Sequence, residues 1–452
     1  MEKPTPNLLD QLLELHSQNR ESEGLELIAD LHPADVADVL ERLPEEVRTA
    51  YFKLLEAELG AEVLLELEEA PKAGLIQTLE PRELAQLLIG MDSDDATDII
   101  SALDQEEAAS VLKDIDKEDR REVRKLLTYP EDSAGGLMQM EVVTVPLEKT
   151  IREALDLVRE QAREVDDFAN VFVLSLDRQV VGVLNLRELL LARADSPVEK
   201  VMTPAPVIIR PHDDQEEVAR AFQKYDLLSA PVVDARGRLL GRVTVDDVVD
   251  VIQEEASEDM YRMAGMDDEE LVYGEKAFKI SRLRLPWILI NLLGGLIASY
   301  FMWLFKITLK EALVLVTFVP VIIAMGGNVG IQSSTVFIRG LAVGRFTAAS
   351  LGRVIFKEIK VALIMGLICG LLTGLAAALW HTQAYIGLIV GLAMVVNISL
   401  SAMMGILAPA FFRRLKIDPA IASGPLVTTT NDIIGILVYL GIATFFLSYF
   451  RA

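Results

Sequence analysis

Apolar positions recur every twelve residues across the front of the chain: Leu31, Leu43, Leu55, Leu67, Leu79, Met91, Leu103 and Ile115. Eight and nine residues after most of these comes an apolar pair, from Val39-Leu40 through Leu75-Ile76 to Val111-Leu112. Stretches such as "LHPADVADVL", "LEPRELAQLL" and "MDSDDATDII" set Pro or Asp just before the apolar run, which is a helix-start signal. Each unit therefore reads as one helix of about two turns and a corner. Helices that short cannot bury an apolar face alone, so they stack into a solenoid. Residues 1–130 are expected to form an all-α superhelix.

A second repeat has a different period. "VPLEKTIREALDLVRE" (145–160) is echoed by "RPHDDQEEVARAFQK" (210–224), and "NVFVLSLDRQVVGVLNLRELL" (170–190) by "APVVDARGRLLGRVTVDDVVD" (230–250). Each half reads as helix, two strands joined by a turn, then helix, with Gly182 and Gly241 at the same strand position. This pattern resembles a tandem pair of α/β CBS domains, at 131–200 and 201–255. The resemblance implies a pseudo-symmetric module, and in its nucleotide-binding variant a Thr or Ser three residues before an Asp. Thr244 and Asp247 match; the first half has Asn185 and Glu188 instead. ATP is thus an expected ligand at Thr244 and Asp247 on half a motif.

The pattern then changes again. "VTVDDVVDVIQEEASEDMYRM" (243–263) reads as one acidic helix, opening a connecting segment over 243–275. Five long apolar runs follow, at about 285–305, 312–338, 358–380, 385–411 and 424–449, each long enough to cross a bilayer. Residues 282–452 are expected to be an all-α five-helix membrane domain.

Charge sharpens this division. The chain carries −25, yet thirteen basic and four acidic residues lie from Arg282 onward, leaving about −34 on residues 1–281. Such a field excludes nucleic acid as a partner and suits divalent cations. Ten basic residues, among them Arg339, Arg353 and Arg413, flank the spans on the side shared with the amino-terminal part; Lys306, Lys310 and Arg451 lie on the other. The positive-inside rule then puts the amino-terminal part in the cytosol and the C-terminus outside. The first residues carry no apolar leader, and the single Cys369 rules out a disulfide within the chain.

Glu311, Glu358 and Asp418 fall at span ends near water, whereas Asp432 lies about eight residues into the fifth run, roughly 12 Å deep at 1.5 Å per residue. A carboxylate there is costly and marks a functional site. Thr428 and Asn431 adjoin it. The second run is interrupted by Pro320, Gly326, Gly327, Asn328 and Gln332, which read as a break supplying backbone and amide oxygens.

These features together, with "GGNVGIQ", "PLVTTTNDIIG" and "YPEDSAGGLM" (129–138), closely resemble the MgtE family of magnesium channels over nearly the whole chain. The resemblance implies a homodimer in the cytoplasmic membrane with a Mg2+ pore on its two-fold axis. Asp432 would be the pore carboxylate, with Gly326, Gly327, Asn328, Gln332, Pro425, Leu426, Thr428, Asn431 and Gly435 lining the path. It further implies that Mg2+ on the cytosolic domains closes the pore through the connecting, or plug, helix. The sensing residues would be Asp94, Asp98, Gly136, Asp214, Glu216, Asp226, Asp247, Asp250, Glu255, Glu258 and Asp259. An acidic residue of the family pattern is Leu59 here, beside Glu58.

A carrier for Mg2+, Mn2+ or Co2+ is the alternative, but it needs a second coupling site. An intramembrane metalloprotease needs a His-Glu-x-x-His helix, and the four histidines are scattered. A signalling receptor without transport would leave Asp432 unexplained.

Overall fold

The computed structural model describes residues 6–163, 165, 168–266, 277–311, 313–346, 351–422 and 424–451. Two compact units divide the chain, Met1–Glu254 and Glu255–Ala452. Linker residues 267–276 and the Glu311 side chain lie outside the described residues.

The first unit opens with short helices running from Pro6–Ser17 to Asp119–Leu126. Most pack against the helix next but one, as Pro33–Glu41 does against Ala57–Glu66 and Pro81–Leu88 against Gln105–Asp114. That is the solenoid geometry the twelve-residue period predicts. All seven apolar pairs are buried, none more than 9% exposed, and Leu43, Leu67 and Ile115 of the twelve-residue series join them in the core, while Leu31 is 37% exposed. Helix starts follow the expected chemistry. His32 accepts from the Ala34 amide before Pro33, a Glu80–Glu83 capping box opens Pro81–Leu88, and Asp104 accepts from the Glu106 and Glu107 amides.

The CBS pair follows in the same unit. Strand β1 (Thr144–Pro146) pairs parallel with β2 (Asn170–Leu174), and β2 pairs antiparallel with β3 (Val180–Asn185). In the second half β4 (Ser229–Val233) pairs antiparallel with β5 (Leu239–Thr244). The two hairpins share register and a bulge: Val173 faces Gly182 and Val232 faces Gly241. Both glycines admit a crossing chain. A Cβ on Gly182 would stand 2.8 Å from the Thr203 carbonyl oxygen, and one on Gly241 2.4 Å from that of Gln139. The 129–138 segment is stitched to the second half by Ala134 N–H to Asp213 O at 2.8 Å and Gly135 N–H to Pro211 O at 2.9 Å.

In the second unit five helices are long and apolar enough to cross a membrane: Ala277–Leu304, Leu313–Ala342, Leu351–His381, Ala384–Arg414 and Gly424–Tyr449. The expected break in the second span is absent. Residues Val319–Ala342 form one α-helix with Pro320 in its first turn, where its missing N–H costs nothing, and a 3-10 segment, Leu313–Phe318, precedes it. Its glycines instead serve close packing. Third and fourth spans meet through a glycine seam, where a Cβ on Gly370 would stand 2.6 Å from Gly391 O and one on Gly374 2.7 Å from Gly387 O. Leu289, Leu293, Leu296, Leu367, Leu371 and Leu379 are all more than half exposed, a surface that only lipid or protein satisfies.

Candidate functional site

The fifth span starts at Gly424, which puts Asp432 on its third turn. In the protomer Asp432 is half-buried. Among the described residues it forms no ion pair with a lysine, arginine or histidine. The second span packs against the fifth. Asn328 and Gln332, one turn apart on that second span, are exposed at membrane depth, while Gly326 and Gly327 are buried. Exposed amides on an apolar bundle belong against water or another protein surface.

Asn431 differs from the expectation that it lines a path. It is 3% exposed and faces the second and fourth spans, donating to Ile323 O at 3.1 Å and accepting from Ser401 Oγ. Asn397, also on the fourth span and 1% exposed, donates to Ile322 O at 2.8 Å. Neither Asn397 nor Ser401 stood out in the sequence; their i, i+4 spacing on one helix face was the available signal. Gly435 is buried against this group, since a Cβ there would lie 2.9 Å from Asn397 Oδ1. Thr428 bonds back to Gly424 O and Pro425 O at 3.1 and 3.0 Å, Pro425 is buried and Leu426 half-buried. Glu358 also departs from its expected place near water: it is half-buried and accepts from Ser333 Oγ of the second span at 3.0 Å.

The acidic helix is continuous from Val245 to Ala264. Near its end Arg262 pairs with both Glu258, one turn back, and Asp418, just before the fifth span. The contact is close because of two glycines: a Cβ on Gly424 would strike the Met263 carbonyl oxygen, and one on Gly265 (φ +72°) would lie 2.6 Å from Pro425. Glu255 and Asp259 are both half-buried on this helix.

In the first unit, Asp94 and Asp95 of helix Ser93–Ser101 lie near Asp247, and Asp98 near Glu131, Glu254 and Asp247. Burial, then the charges of Asp247, Asp92 and Asp98, push Asp95 up to about 7. Asp98 keeps an exposed edge, yet the protein around it and the charges of Glu131, Glu254 and Asp247 push it to about 7. Burial raises Asp247 to about 6 against the Thr244 hydroxyl, which donates to it at 2.5 Å. Asp94 is 4% exposed, raised well above the usual carboxylate range by burial and by Asp247, and its Oδ1 has no hydrogen-bond partner among the described residues. Asp250 is exposed at the margin and raised by partial burial and Asp246. Lys72 is the cation near Asp95, Asp98 and Asp250. Among the described residues, no three of His, Cys, Asp and Glu converge as a finished cation cage. The arrangement is a set of close, under-neutralised carboxylates. Asp95 was missed in the sequence, where only the i, i+4 pair around it attracted notice.

The other expected sensing residues lie in the CBS pair. Asp214 caps its helix by accepting from the Glu216 amide at 2.9 Å, and Glu216 pairs with Arg220. Gly136 sits where a Cβ would be 2.5 Å from Glu131 O. Asp226, in the left-handed region, ends its helix beside a cavity of about 380 Å³. That cavity, lined by Asn170, Asn185, Arg187, Glu188, Asp226 and Leu227 among others, opens at the first-half motif. Thr244 and Asp247, expected to bind nucleotide, do not line it.

A chain with an acidic solenoid, a CBS pair and five apolar spans, the last carrying a carboxylate that has no ion pair among the described residues, is a multi-pass membrane protein of the divalent-cation-transporter class. Family profiles match in the same order: the MgtE intracellular N domain at 31–132, CBS domains at 134–195 and 198–254, and the MgtE divalent cation transporter domain at 319–442. The magnesium transporter MgtE of Bacillus subtilis is 33% identical over 93% of both chains. The magnesium transporter MgtE of Thermus thermophilus is 38% identical over 71% of this chain and 72% of its own. A crystal structure of the cytosolic domain of the Mg2+ channel MgtE in complex with ATP is 35% identical, with TM-score 0.51, over 54% of this chain and 99% of its own. The chain belongs to the MgtE family.

Proposed function

We propose that this protein is a Mg2+ channel of the cytoplasmic membrane, a homodimer whose facing Asp432 carboxylates attract a hydrated ion. The observation that carries this reading is Asp432: half-buried at membrane depth, without an ion-pair partner, on a span packed against one that exposes Asn328 and Gln332. Mg2+ gives up water reluctantly, so carboxylate and amide oxygens suit it as ligands to its hydration shell. Charge then selects cations, and the width of the path selects hydrated size. The amino-terminal unit acts as the cytosolic sensor. Mg2+ held among Asp94, Asp95, Asp98 and Asp247 favours the state in which these acids are close. The acidic helix and its Arg262 bridge to Asp418 keep that state shut, a shift of population driven by differential binding. The test is patch recording from the purified full chain with cytosolic Mg2+ varied. Currents beyond carrier rates that fall as Mg2+ rises into the millimolar range are expected; turnover at carrier rates, or currents indifferent to cytosolic Mg2+, would reject the reading.

An adenine nucleotide is the proposed ligand of the 380 Å³ cavity, with Arg187 toward phosphate and Glu188 toward ribose hydroxyls. The similarity to the ATP-bound cytosolic domain supports this assignment. Arg187→Ala should weaken ATP binding, measured by calorimetry on the full chain, by about tenfold, the scale of one charge-assisted contact. Undiminished binding would move the nucleotide elsewhere.

A further inference from the structure

Neighbouring residues on a helix point about 100° apart, so whatever fixes the direction of Asn431 also fixes that of Asp432. Two groups, one from each of two other spans, hold Asn431. Its amide donates to Ile323 O of the second span at 3.1 Å, and its oxygen accepts from Ser401 Oγ of the fourth span. The pocket exists because position 326 has no side chain: a Cβ there would lie 2.4 Å from Asn431 Oδ1, 2.3 Å from Asn397 Nδ2 and 2.9 Å from Ser401 Oγ. Asn397 completes the fixture by tying the fourth span to Ile322 O at 2.8 Å. In an apolar bundle such amide bonds are directional where packing is not.

We propose that Ser401 and Asn397 are positioning residues that, through Asn431, set the rotation of the fifth span and so the presentation of Asp432 to the permeating cation. This rests on the reading of Asp432 as the ion-attracting carboxylate. Ser401 hands its hydrogen to the Asn431 oxygen, leaving the Asn431 amide to donate to Ile323 O. Loss of the hydroxyl frees Asn431 to turn, and the carboxylate loses its fixed orientation while keeping its charge. The effect therefore falls on how tightly the ion is held, ahead of how many channels fold.

The test is Mg2+ uptake by the full chain in liposomes across a range of external Mg2+. Ser401→Ala should raise the half-saturating concentration about fivefold, the scale of one hydrogen bond, with maximal uptake per folded protein changed less than about twofold. Ser401→Thr keeps the hydroxyl and should restore the parental value. A packing role alone would lower maximal uptake and thermal stability with half-saturation unmoved, and that result would overturn the proposal. Asp432→Asn runs alongside as the control on the underlying reading. If it transports like the parent, that reading falls and this inference with it; if it is inactive while Ser401→Ala is unshifted, this inference falls alone.

Discussion

Asp432→Ala is expected to abolish Mg2+ uptake by the full chain in liposomes and at the same time to raise its thermal stability. The two effects have opposite signs because one group causes both. An acidic residue at the centre of a span costs roughly 2.5–3.5 kcal/mol on insertion scales, and among the described residues no ion pair offsets it. Removing it relieves the fold. Removing it also takes away the charge that draws a dication into the apolar layer, where attraction at low dielectric is strong. Asp432→Asn keeps the shape but not the charge, and should transport at less than about a twentieth of the parental rate. Uptake is read with a Mg2+ dye, stability by thermal unfolding in detergent. Parental uptake in either variant would remove Asp432 from the path. Loss of uptake with lowered stability would make it a structural residue instead.

Much of this was legible in the chain because the signals were local or periodic. The solenoid repeats every twelve residues, so seven apolar pairs announced the core independently. The CBS hairpins repeat down to Gly182 and Gly241, whose missing side chains admit crossing strands. Asp432 is conspicuous as a carboxylate in an apolar run. What escaped depends on partners far along the chain. Ser401 meets Asn431 thirty residues on, and Asn397 meets Ile322 O seventy-five residues back, so no window holds both ends. Glycines misled for a related reason: Gly326 looks like a helix break in isolation, yet it is a vacancy shaped by two amides and a hydroxyl from other spans. Glu358 sits near a span end, and only the folded bundle brings Ser333 to it. The nucleotide motif, a matter of two positions, falls on Thr244 and Asp247, which bond each other while Asp247 stands near Asp94 of the solenoid.

The acidic cluster of the first unit makes the second large prediction, a stability that falls with rising pH unless Mg2+ is present. Asp95 and Asp98 titrate at about 7 in the folded protein and Asp247 at about 6, against roughly 3.9 for an unfolded aspartate. The folded state therefore binds more protons across this window. Its stabilisation is complete below about pH 4 and is lost as pH rises through 6 to 7. In EDTA, thermal unfolding of the full chain should move down between pH 5.5 and 8, by roughly 2–4 °C for each kcal/mol lost in a unit of this size. Partial exposure of Asp98 and Asp247 keeps the total below the sum of the three shifts. At pH 8 Mg2+ takes the protons' place among the ionised carboxylates and should raise the midpoint most; at pH 5.5 protons already neutralise them and the increment should nearly vanish. The triple variant Asp95→Asn, Asp98→Asn, Asp247→Asn should be more stable than the parent in EDTA at pH 8 and should respond little to Mg2+. A Mg2+ increment independent of pH, or one that survives in the triple variant, would show that the stabilising ion sits elsewhere, and the proposed Mg2+ sensing would have to be sought among other carboxylates.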